Sequence, residues 1–212
     1  MKPIKHWKVF FIVNKNIFNF FIYFIKMLNI ILDLDETLIH SLICFSIKEV
    51  DNYSIQDLYI GYFFIGNIYY VIFVRPYLFD FLNYLINNKY NIYISTHSNY
   101  EYANNVINLI QKHVCNFTYI DLQTRIIVDN DFIKLKTLEN FCDTKNTLII
   151  DDKKDVWELK YHKIIYNIQI FKAPYYILEI DTDKMKINKI NWDYVNDKEL
   201  LYLITYLDQR VY

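Results

Sequence analysis

The chain of 212 residues lacks the features that mark several classes of protein. It has three cysteines, Cys44, Cys115 and Cys142, and no two of them are spaced as a CxxC pair. An odd number without that spacing argues against a disulfide scaffold or a thiolate zinc site and is typical of a reducing compartment. The formal net charge of −1 excludes a nucleic-acid clamp that is basic over its whole length, although not a local basic patch. We expect no direct nucleic-acid partner.

Glycine is also scarce, with two residues in the chain, and no repeat, low-complexity tract or Gly/Ser linker divides the sequence. We therefore expect one main domain, residues 27–212, preceded by an apolar leader of uncertain role, residues 1–26. The abundant residues are apolar and aromatic, with 54% hydrophobic residues, 21 tyrosines and 16 phenylalanines. This apolar content excludes wholesale disorder, and the preference for A/T-rich codons indicates a genome bias.

The leader contains an apolar stretch without the uninterrupted length of a typical membrane span. Residues 9–25, VFFIVNKNIFNFFIYFI, are interrupted by Lys15 and three asparagines, and no small-residue cleavage site follows them. A secretory signal is therefore not expected. A single span usually needs about 20 apolar residues, so the stretch is a weak candidate. Two alternatives stay open, which are membrane association through residues 9–25 and a docking helix.

In the main domain, short apolar runs alternate with runs that have helical spacing. The short runs predict strands at residues 28–35, 91–95, 117–120, 125–128 and 147–152, and a hairpin over residues 62–74 with its turn at Gly66-Asn67. The helical spacing predicts helices at residues 76–88, 99–113, 133–141 and 197–209. This alternation predicts an α/β fold with a mainly parallel sheet.

Polar side chains follow three of the predicted strands. "ILDLD" ends in Asp33 and Asp35, "LIIDD" ends in Asp151 and Asp152, and Thr96 follows "NIYIS". The active crevice of an open α/β sheet lies beyond the carboxyl ends of its strands. If these strands are neighbours, one crevice would collect the following residues: Asp33, Asp35, Thr37, Thr96, Asp151 and Asp152. Asp33 and Asp35 would share a face of an extended segment, unless a turn after Asp33 changes their directions.

Several carboxylates that share one crevice lie within a few ångströms of one another and repel strongly, unless a cation lies among them. Oxygen ligands of this kind suit Mg²⁺. The alternative is that these acids are helix N-caps or solvated strand ends, and for a single aspartate it is the commoner situation. Two acidic motifs, DxDxT and DD, each after a buried strand, favour the metal site.

The first motif, "DLDETLIHS", closely resembles the signature of the FCP/SCP-type phosphatases, the RNA polymerase II C-terminal-domain phosphatases of the haloacid dehalogenase superfamily. The likeness covers about residues 28–208 in the family's order, and the final acidic motif has the form of the FCP branch. The other similar segments are "YYVIFVRPYLFDFL", "IYISTHSNYEYANNVI", "TLIIDDKKDVW" and "NDKELLYLITYL". The chain departs from the family at Tyr77, where glycine is usual, over residues 42–61, and in the absence of a following BRCT-like domain.

The resemblance implies a haloacid dehalogenase-like, Rossmann-like parallel sheet with helices on both faces and an inserted β-hairpin. It implies that Asp33 is the nucleophile and Asp35 the general acid and base. Thr37 and Thr96 would donate hydrogen bonds, Thr96 to the phosphoryl oxygens. Mg²⁺ would be held by the Asp33 side chain, the backbone carbonyl of Asp35, and the carboxylates of Asp151 and Asp152.

The family also places a lysine upstream of the last acidic strand, and two residues compete for that role. Lys136 fits the pattern Lys-x-Leu-x-x-apolar and is favoured, whereas Lys134 better matches the distance to Asp151 in the FCP branch. Arg75 is expected either to steer an anionic substrate or to pair with an acid. Two positions are considered for His97, which are the surface, the favoured one, and a position facing the cleft.

The expected function is a Mg²⁺-dependent phosphoserine or phosphothreonine protein phosphatase that forms an aspartyl-phosphate, with the RNA polymerase II tail as a candidate substrate. One alternative is a non-catalytic or membrane-tethered phosphatase-like adaptor. Another is a small-molecule or nucleic-acid-end phosphatase of the same superfamily. An intracellular location, nuclear or cytoplasmic, is expected, with membrane association open.

Overall fold

The structure is a computed structural model that describes residues 28–53, 58–124, 127–128, 132–139, 144, 146–172, 177–179, 186–188 and 196–210. The predicted leader, including residues 9–25, lies outside these ranges. Among the residues that are described, no helix is both long and apolar enough to cross a membrane.

Twelve strands and four α-helices occur in the described part of the chain. The strands are β1 (Asn29–Leu32), β2 (Ile39–Cys44), β3 (Tyr59–Ile65), β4 (Ile68–Val74), β5 (Asn91–Ser95), β6 (Leu122–Gln123), β7 (Ile127–Val128), β8 (Phe132–Ile133), β9 (Thr147–Asp151), β10 (Ile165–Asn167), β11 (Ile177–Glu179) and β12 (Lys186–Asn188). The α-helices are α1 (Ile47–Tyr53), α2 (Leu78–Asn87), α3 (Tyr100–Gln111) and α4 (Glu199–Arg210). Two 3₁₀ helices, Lys154–Val156 and Leu159–Ile164, follow β9.

The main sheet has five parallel strands in the order β10-β9-β1-β5-β6. β1 lies at its centre, because Asn29–Leu32 pairs with β5 on one side and with β9 on the other. The prediction of an α/β fold with a parallel sheet is confirmed. The arrangement also makes the three strands that precede the predicted acids and Thr96 direct neighbours.

Alternate residues of the central strands face opposite sides of the sheet. Ile30 and Leu32 join the large core that α2, α3 and α4 complete. Ile31 and Ile149 face the other side, where they pack with Trp157 and Tyr161. Tyr161 belongs to the second 3₁₀ helix, so helical segments cover this face too, and in the described residues they are 3₁₀ rather than α-helical.

A three-stranded antiparallel sheet, in the order β2-β4-β3, contains the predicted hairpin. Its turn lies at Gly66-Asn67 as expected, with Gly66 at φ 62°. Gly61 has a different role, because a Cβ atom there would lie 2.8 Å from Leu109 Cδ2. Absence of a side chain at Gly61 therefore lets β3 lie close against α3.

Two element predictions are wrong in the described residues. Residues 133–139 form no helix, because the Lys136 amide donates to the Val156 carbonyl at 2.8 Å and Lys136 forms a β-bridge with Trp157. The strand predicted at residues 117–120 instead occurs at Leu122–Gln123, where it pairs with β5. Of the strand predicted at residues 125–128, only Ile127–Val128 lies in the described chain, and it pairs with β8.

Arg75 follows β4 and is 1% exposed. Its Nε donates to Asp197 Oδ2 at 2.8 Å and its Nη1 donates to the Thr37 carbonyl at 2.9 Å. Asp197 Oδ1 also accepts from the amide of Glu199, the first residue of α4. Of the two roles considered for Arg75, pairing with an acid is confirmed, and the pair ties α4 to the loop after β1.

Candidate active site

The carboxyl ends of β9, β1 and β5 form the floor of a cleft of about 480 Å³. The cleft brings together most of the residues that the sequence predicted to meet there. Its lining includes Asp33, Asp35, Thr96, Lys136, Asp151 and Asp152. Because parallel strands all end at the same edge of a sheet, residues more than a hundred positions apart become neighbours.

Lys136 bridges two of the acids inside this cleft. Its Nζ lies 2.6 Å from Asp33 Oδ1 and 2.7 Å from Asp151 Oδ2. Burial raises the pKa of Asp33, and the charges of Asp151 and Asp35 add to that effect, while Lys136 opposes it. Burial acts to lower the pKa of Lys136, but the two carboxylates outweigh it and the pKa is raised. The ammonium is therefore held in its charged form.

The chain turns sharply between β1 and β2, and the turn sets the direction of Asp35. The carbonyl of Leu34 accepts from the amides of Leu38 and Ile39, at 2.9 and 3.0 Å. Glu36 occupies the left-handed region with φ 65°, which a residue with a side chain rarely adopts. Strained backbone of this kind is common where a side chain must be aimed at a site.

The carboxyl group of Asp35 faces a different set of partners from Asp33. Ser98 Oγ donates to Asp35 Oδ2 at 2.6 Å, and the Tyr102 hydroxyl donates to Asp35 Oδ1. Burial raises the pKa of Asp35, whereas these two hydrogen bonds act to lower it. Asp33 and Asp35 thus have distinct surroundings, which is the condition for two carboxyl groups to take different roles.

The two threonines are both buried, and they occupy different positions. Thr37 Oγ1 donates to Asp152 Oδ1 at 3.2 Å and accepts from the Asp152 amide at 3.1 Å, so it holds the loop after β9 against the loop after β1. Thr96 lines the cleft, and its Oγ1 accepts from the Ser98 amide at 3.1 Å. A hydroxyl that accepts from an amide can still donate its own hydrogen to a ligand.

Asp151 is the most heavily bonded acid of the site. Besides Lys136, it accepts from Trp157 Nε1 at 2.8 Å and from the Lys153 amide at 2.8 Å. Trp157, Ser98 and Tyr102 were not predicted to be site residues, although each lies inside a segment that resembles the family. Their positions a few residues after Asp151 and Thr96 were the only sequence feature that placed them near the site. No pattern in the sequence showed that Trp157 would donate to Asp151, or that Ser98 and Tyr102 would donate to Asp35.

Three carboxylates could hold a metal ion. One oxygen each from Asp33, Asp151 and Asp152 lies within 4.8 Å of the others. Among the described residues, the Asp35 carboxylate is not part of this cluster, as expected if Asp35 contributes its backbone carbonyl instead. Ionised, the three acids carry −3 and Lys136 carries +1, so a charge of −2 is left. A hard divalent cation with oxygen ligands fits this donor set.

The two candidate lysines lie in different environments. Lys136 is 5% exposed and reaches into the cleft, whereas Lys134 is exposed. His97 is half-buried and lines the cleft, so of its two considered positions the cleft-facing one is confirmed. Burial lowers the pKa of His97, and the nearby charge of Lys136 adds to the effect, so its neutral form is favoured.

The parallel five-stranded sheet, the antiparallel insert and the acidic cleft at the strand ends are the arrangement that the resemblance to haloacid dehalogenase-like phosphatases implied. The chain belongs to the NLI interacting factor-like phosphatase family, whose model matches residues 28–211. The resemblance to FCP/SCP-type phosphatases that the motifs suggested is thereby confirmed.

Individual relatives agree with this assignment. The chain is 30% identical, over 152 residues, to a phosphatase of the RNA polymerase II C-terminal domain from Schizosaccharomyces pombe. The match covers 63% of this chain and 20% of that relative, so the chain corresponds to about a fifth of the relative's length.

Solved structures establish the fold. The structure of Fcp1, an essential RNA polymerase II CTD phosphatase, matches with a TM-score of 0.56 at 20% identity, over 93% of this chain and 54% of the other. A variant of the fission yeast Fcp1 bound to beryllium fluoride matches with a TM-score of 0.54 at 21% identity, over 93% and 56% of the two chains. The predicted haloacid dehalogenase-like fold is confirmed.

Proposed function

We propose that the chain is a Mg²⁺-dependent phosphoprotein phosphatase that works through an aspartyl-phosphate on Asp33. The observation that carries this proposal is the ammonium of Lys136 between Asp33 and Asp151, at 2.6 and 2.7 Å, on the floor of an acidic cleft. A phosphoryl group placed there would meet a carboxylate nucleophile and a fixed positive charge together. Membership of a phosphatase family supports the same conclusion.

In the first step, an oxygen of Asp33 attacks phosphorus as the bond from phosphorus to the substrate oxygen breaks. Asp35 gives its proton to that leaving oxygen, so the product leaves as a neutral alcohol. In the second step, Asp35 takes a proton from water as the water oxygen attacks phosphorus. The Asp33 carboxylate leaves, and inorganic phosphate and the starting enzyme result.

Other residues of the cleft orient and neutralise the phosphoryl group. Thr96 is placed to donate to a phosphoryl oxygen, and Lys136 supplies positive charge where negative charge develops. A Mg²⁺ ion would be held by Asp33, Asp151, Asp152 and the Asp35 carbonyl, with Thr37 fixing Asp152 through its hydroxyl. When bound, it would neutralise charge on the transferring group and favour the ionised form of Asp33.

We infer that the substrate is a phosphoserine or phosphothreonine in a protein, with the RNA polymerase II C-terminal domain as the leading candidate. The support is the family and the yeast relative that acts on that domain. Such a substrate is intracellular, so we place the chain in the nucleus or cytoplasm. The domain boundaries, with a leader of residues 1–26 before a phosphatase domain of residues 27–212, are part of the same proposal.

The test of the activity is hydrolysis of p-nitrophenyl phosphate by the whole chain, with Mg²⁺ and with a chelator. Turnover that requires Mg²⁺ and is lost in Asp33→Asn is expected. Turnover that persists in Asp33→Asn would contradict the proposed nucleophile, and no turnover would favour the adaptor alternative.

The substrate class needs a separate comparison, with phosphoserine peptides, sugar phosphates and 3′-phosphorylated oligonucleotides. We expect the highest kcat/KM on the peptides. A clear preference for either of the other two would assign the chain to a different branch of the superfamily.

A further inference from the structure

Asp35 is held from one side of the cleft by two hydroxyl groups that belong to one stretch of chain. Ser98 follows β5, and Tyr102 lies in the first turn of α3, which begins after Asn99 caps it by accepting from the Tyr102 amide at 2.9 Å. Each oxygen of the Asp35 carboxyl group therefore has one protein donor, and the plane of the group is fixed before a substrate binds.

The ring of Tyr102 is in turn held by the hairpin. It is 6% exposed and lies edge-on to Phe63 of β3 and to Tyr70 of β4, with centroid distances of 5.5 and 5.2 Å. Phe63 and Tyr70 stack on each other at 5.4 Å. Edge-to-face and stacked pairs are the favourable arrangements of aromatic rings, so the three rings form one packed unit.

The backbone of β3 also lies close to α3 beside these three rings. At Gly61, β3 approaches Leu109 of α3 so closely that a Cβ atom would lie 2.8 Å from the leucine. The helix that carries Tyr102 and the strand that carries Phe63 therefore pack closely against each other. Tyr70 and Tyr102 also line the cleft, so the packed unit reaches from the hairpin to the site.

We propose that Tyr102 is a positioning residue that, with Ser98, holds the Asp35 carboxyl group in the orientation needed for proton transfer, and that Phe63 and Tyr70 of the hairpin hold Tyr102. The inference rests on the proposed function, because it takes the two proton transfers by Asp35 from there. It adds residues outside the acidic motifs to that function. It also gives the hairpin the role of holding Asp35 in place through Tyr102.

The expected signature follows from the chemistry of the leaving group. Protonation of the departing oxygen matters most for a serine alcohol, which is a poor leaving group, and least for p-nitrophenolate, which leaves without help. A misplaced Asp35 should therefore slow a phosphoserine peptide more than p-nitrophenyl phosphate. It should also slow the attack of water, but that step acts on the same phosphorylated enzyme for both substrates. The quantity that separates the two substrates is therefore kcat/KM, which reports the steps up to phosphorylation.

Tyr102→Phe removes the hydroxyl and keeps the ring, and is the first variant to test. With Mg²⁺ present, we expect kcat/KM on a phosphoserine peptide to fall about tenfold more than kcat/KM on p-nitrophenyl phosphate. Tyr84→Phe is the matched control, since Tyr84 also donates to an aspartate, Asp208 at 2.6 Å, but does so between α2 and α4. The control should leave the ratio of kcat/KM on the peptide to kcat/KM on p-nitrophenyl phosphate unchanged.

The hairpin part of the proposal has its own pair of variants. Phe63→Leu should also lower kcat/KM on the phosphoserine peptide more than on p-nitrophenyl phosphate, but by a smaller factor, because it weakens the packing around the ring of Tyr102. Phe64→Leu is the control, since Phe64 is 52% exposed on the same strand and contacts the ring of Tyr69. Equal behaviour of the Phe63 and Phe64 variants would overturn the role of the hairpin.

The possible results distinguish failure of the positioning role from failure of the proposed phosphatase activity. If the wild type turns over both substrates, an equal loss of kcat/KM on both, or no loss on either, in Tyr102→Phe would overturn the positioning role. Absence of wild-type turnover on both substrates would contradict the proposed function, and the inference with it. Circular dichroism and a thermal melt of each variant check that it is folded.

Discussion

Lys136 and Asp33 are in buried contact, with 2.6 Å between Nζ and Oδ1, although they lie 103 positions apart in the sequence. The same ammonium contacts Asp151 at 2.7 Å. One cation thus joins the loop after β1 to the end of β9, at the point where the transferred phosphoryl group is proposed to bind.

Replacement of Lys136 by methionine keeps most of the length of the side chain and removes its charge. We expect kcat on p-nitrophenyl phosphate to fall by about 100-fold or more, the usual cost of losing a group that stabilises transition-state charge. Lys134→Met is the control, because Lys134 is exposed and should be dispensable. The assignment would be reversed if the Lys134 variant lost activity and the Lys136 variant kept it.

The stability of the metal-free protein should depend on pH through Asp33. Burial, together with neighbouring acids, raises the pKa of Asp33 from 3.8 to about 8 in the folded chain. Between these values the folded state holds a proton that the unfolded state has released, so the free energy of unfolding falls as pH rises. We expect the melting temperature in chelator to fall from pH 5 to pH 8, and added Mg²⁺ to restore it by binding the folded state.

Asp33→Asn isolates this effect from other titrating groups, such as Asp35 and His97. The difference in melting temperature between wild type and variant should change with pH in chelator, in the direction that favours the variant at higher pH. A difference that is constant from pH 5 to pH 8 would contradict the account.

Arg75 should matter for stability, because it is fully buried and tied to Asp197 and to the Thr37 carbonyl. Arg75→Met leaves Asp197 without its cationic partner. Removal of one member of a fully buried pair typically costs about 3–5 kcal/mol, so a loss of about 3 kcal/mol is expected for this partly buried pair. Urea unfolding followed by fluorescence measures the change. Lys160→Met is the control, since Lys160 pairs with Glu139 and Glu158 at the surface and should contribute little. Equal effects of the two variants would show that Arg75 has no special role.

Tyr77 has φ 64°, in the left-handed region that favours glycine. The resemblance to FCP/SCP-type phosphatases implied glycine at this position. The left-handed conformation costs a residue with a Cβ atom about 1–2 kcal/mol, and glycine avoids that cost. Tyr77→Gly should therefore be about 1 kcal/mol more stable than Tyr77→Ala, which loses the same ring but keeps the Cβ atom. Equal melting temperatures for the two variants would show that the backbone at Tyr77 is not strained.

The motifs at the strand ends made the cleft predictable. Asp33, Thr96 and Asp151 each follow an apolar run, and a parallel sheet necessarily brings such ends to one edge. The hairpin was equally clear from Gly66-Asn67 between two β-rich runs. These features are local in the sequence, so they could be recognised without knowledge of the packing.

Contacts between distant segments could not be predicted in this way. The segment of Lys136 has helical spacing, yet its amide pairs with the Val156 carbonyl, and the resulting extended backbone lets the side chain reach Asp33. The partners of Asp35 depend on how α3 meets the loop after β1, and that geometry is set by tertiary packing. Propensity is a weak guide where tertiary contacts of this kind compete with it.

The central claim is that Asp33 becomes phosphorylated during turnover. Rapid acid quench of the chain with substrate and Mg²⁺, followed by proteolysis and mass spectrometry, tests this directly. The account predicts one added phosphoryl group on the peptide that contains Asp33, which hydroxylamine removes and which is absent from Asp33→Asn. Turnover without a phosphorylated Asp33 peptide, in conditions where Asp33→Asn is still active, would contradict it.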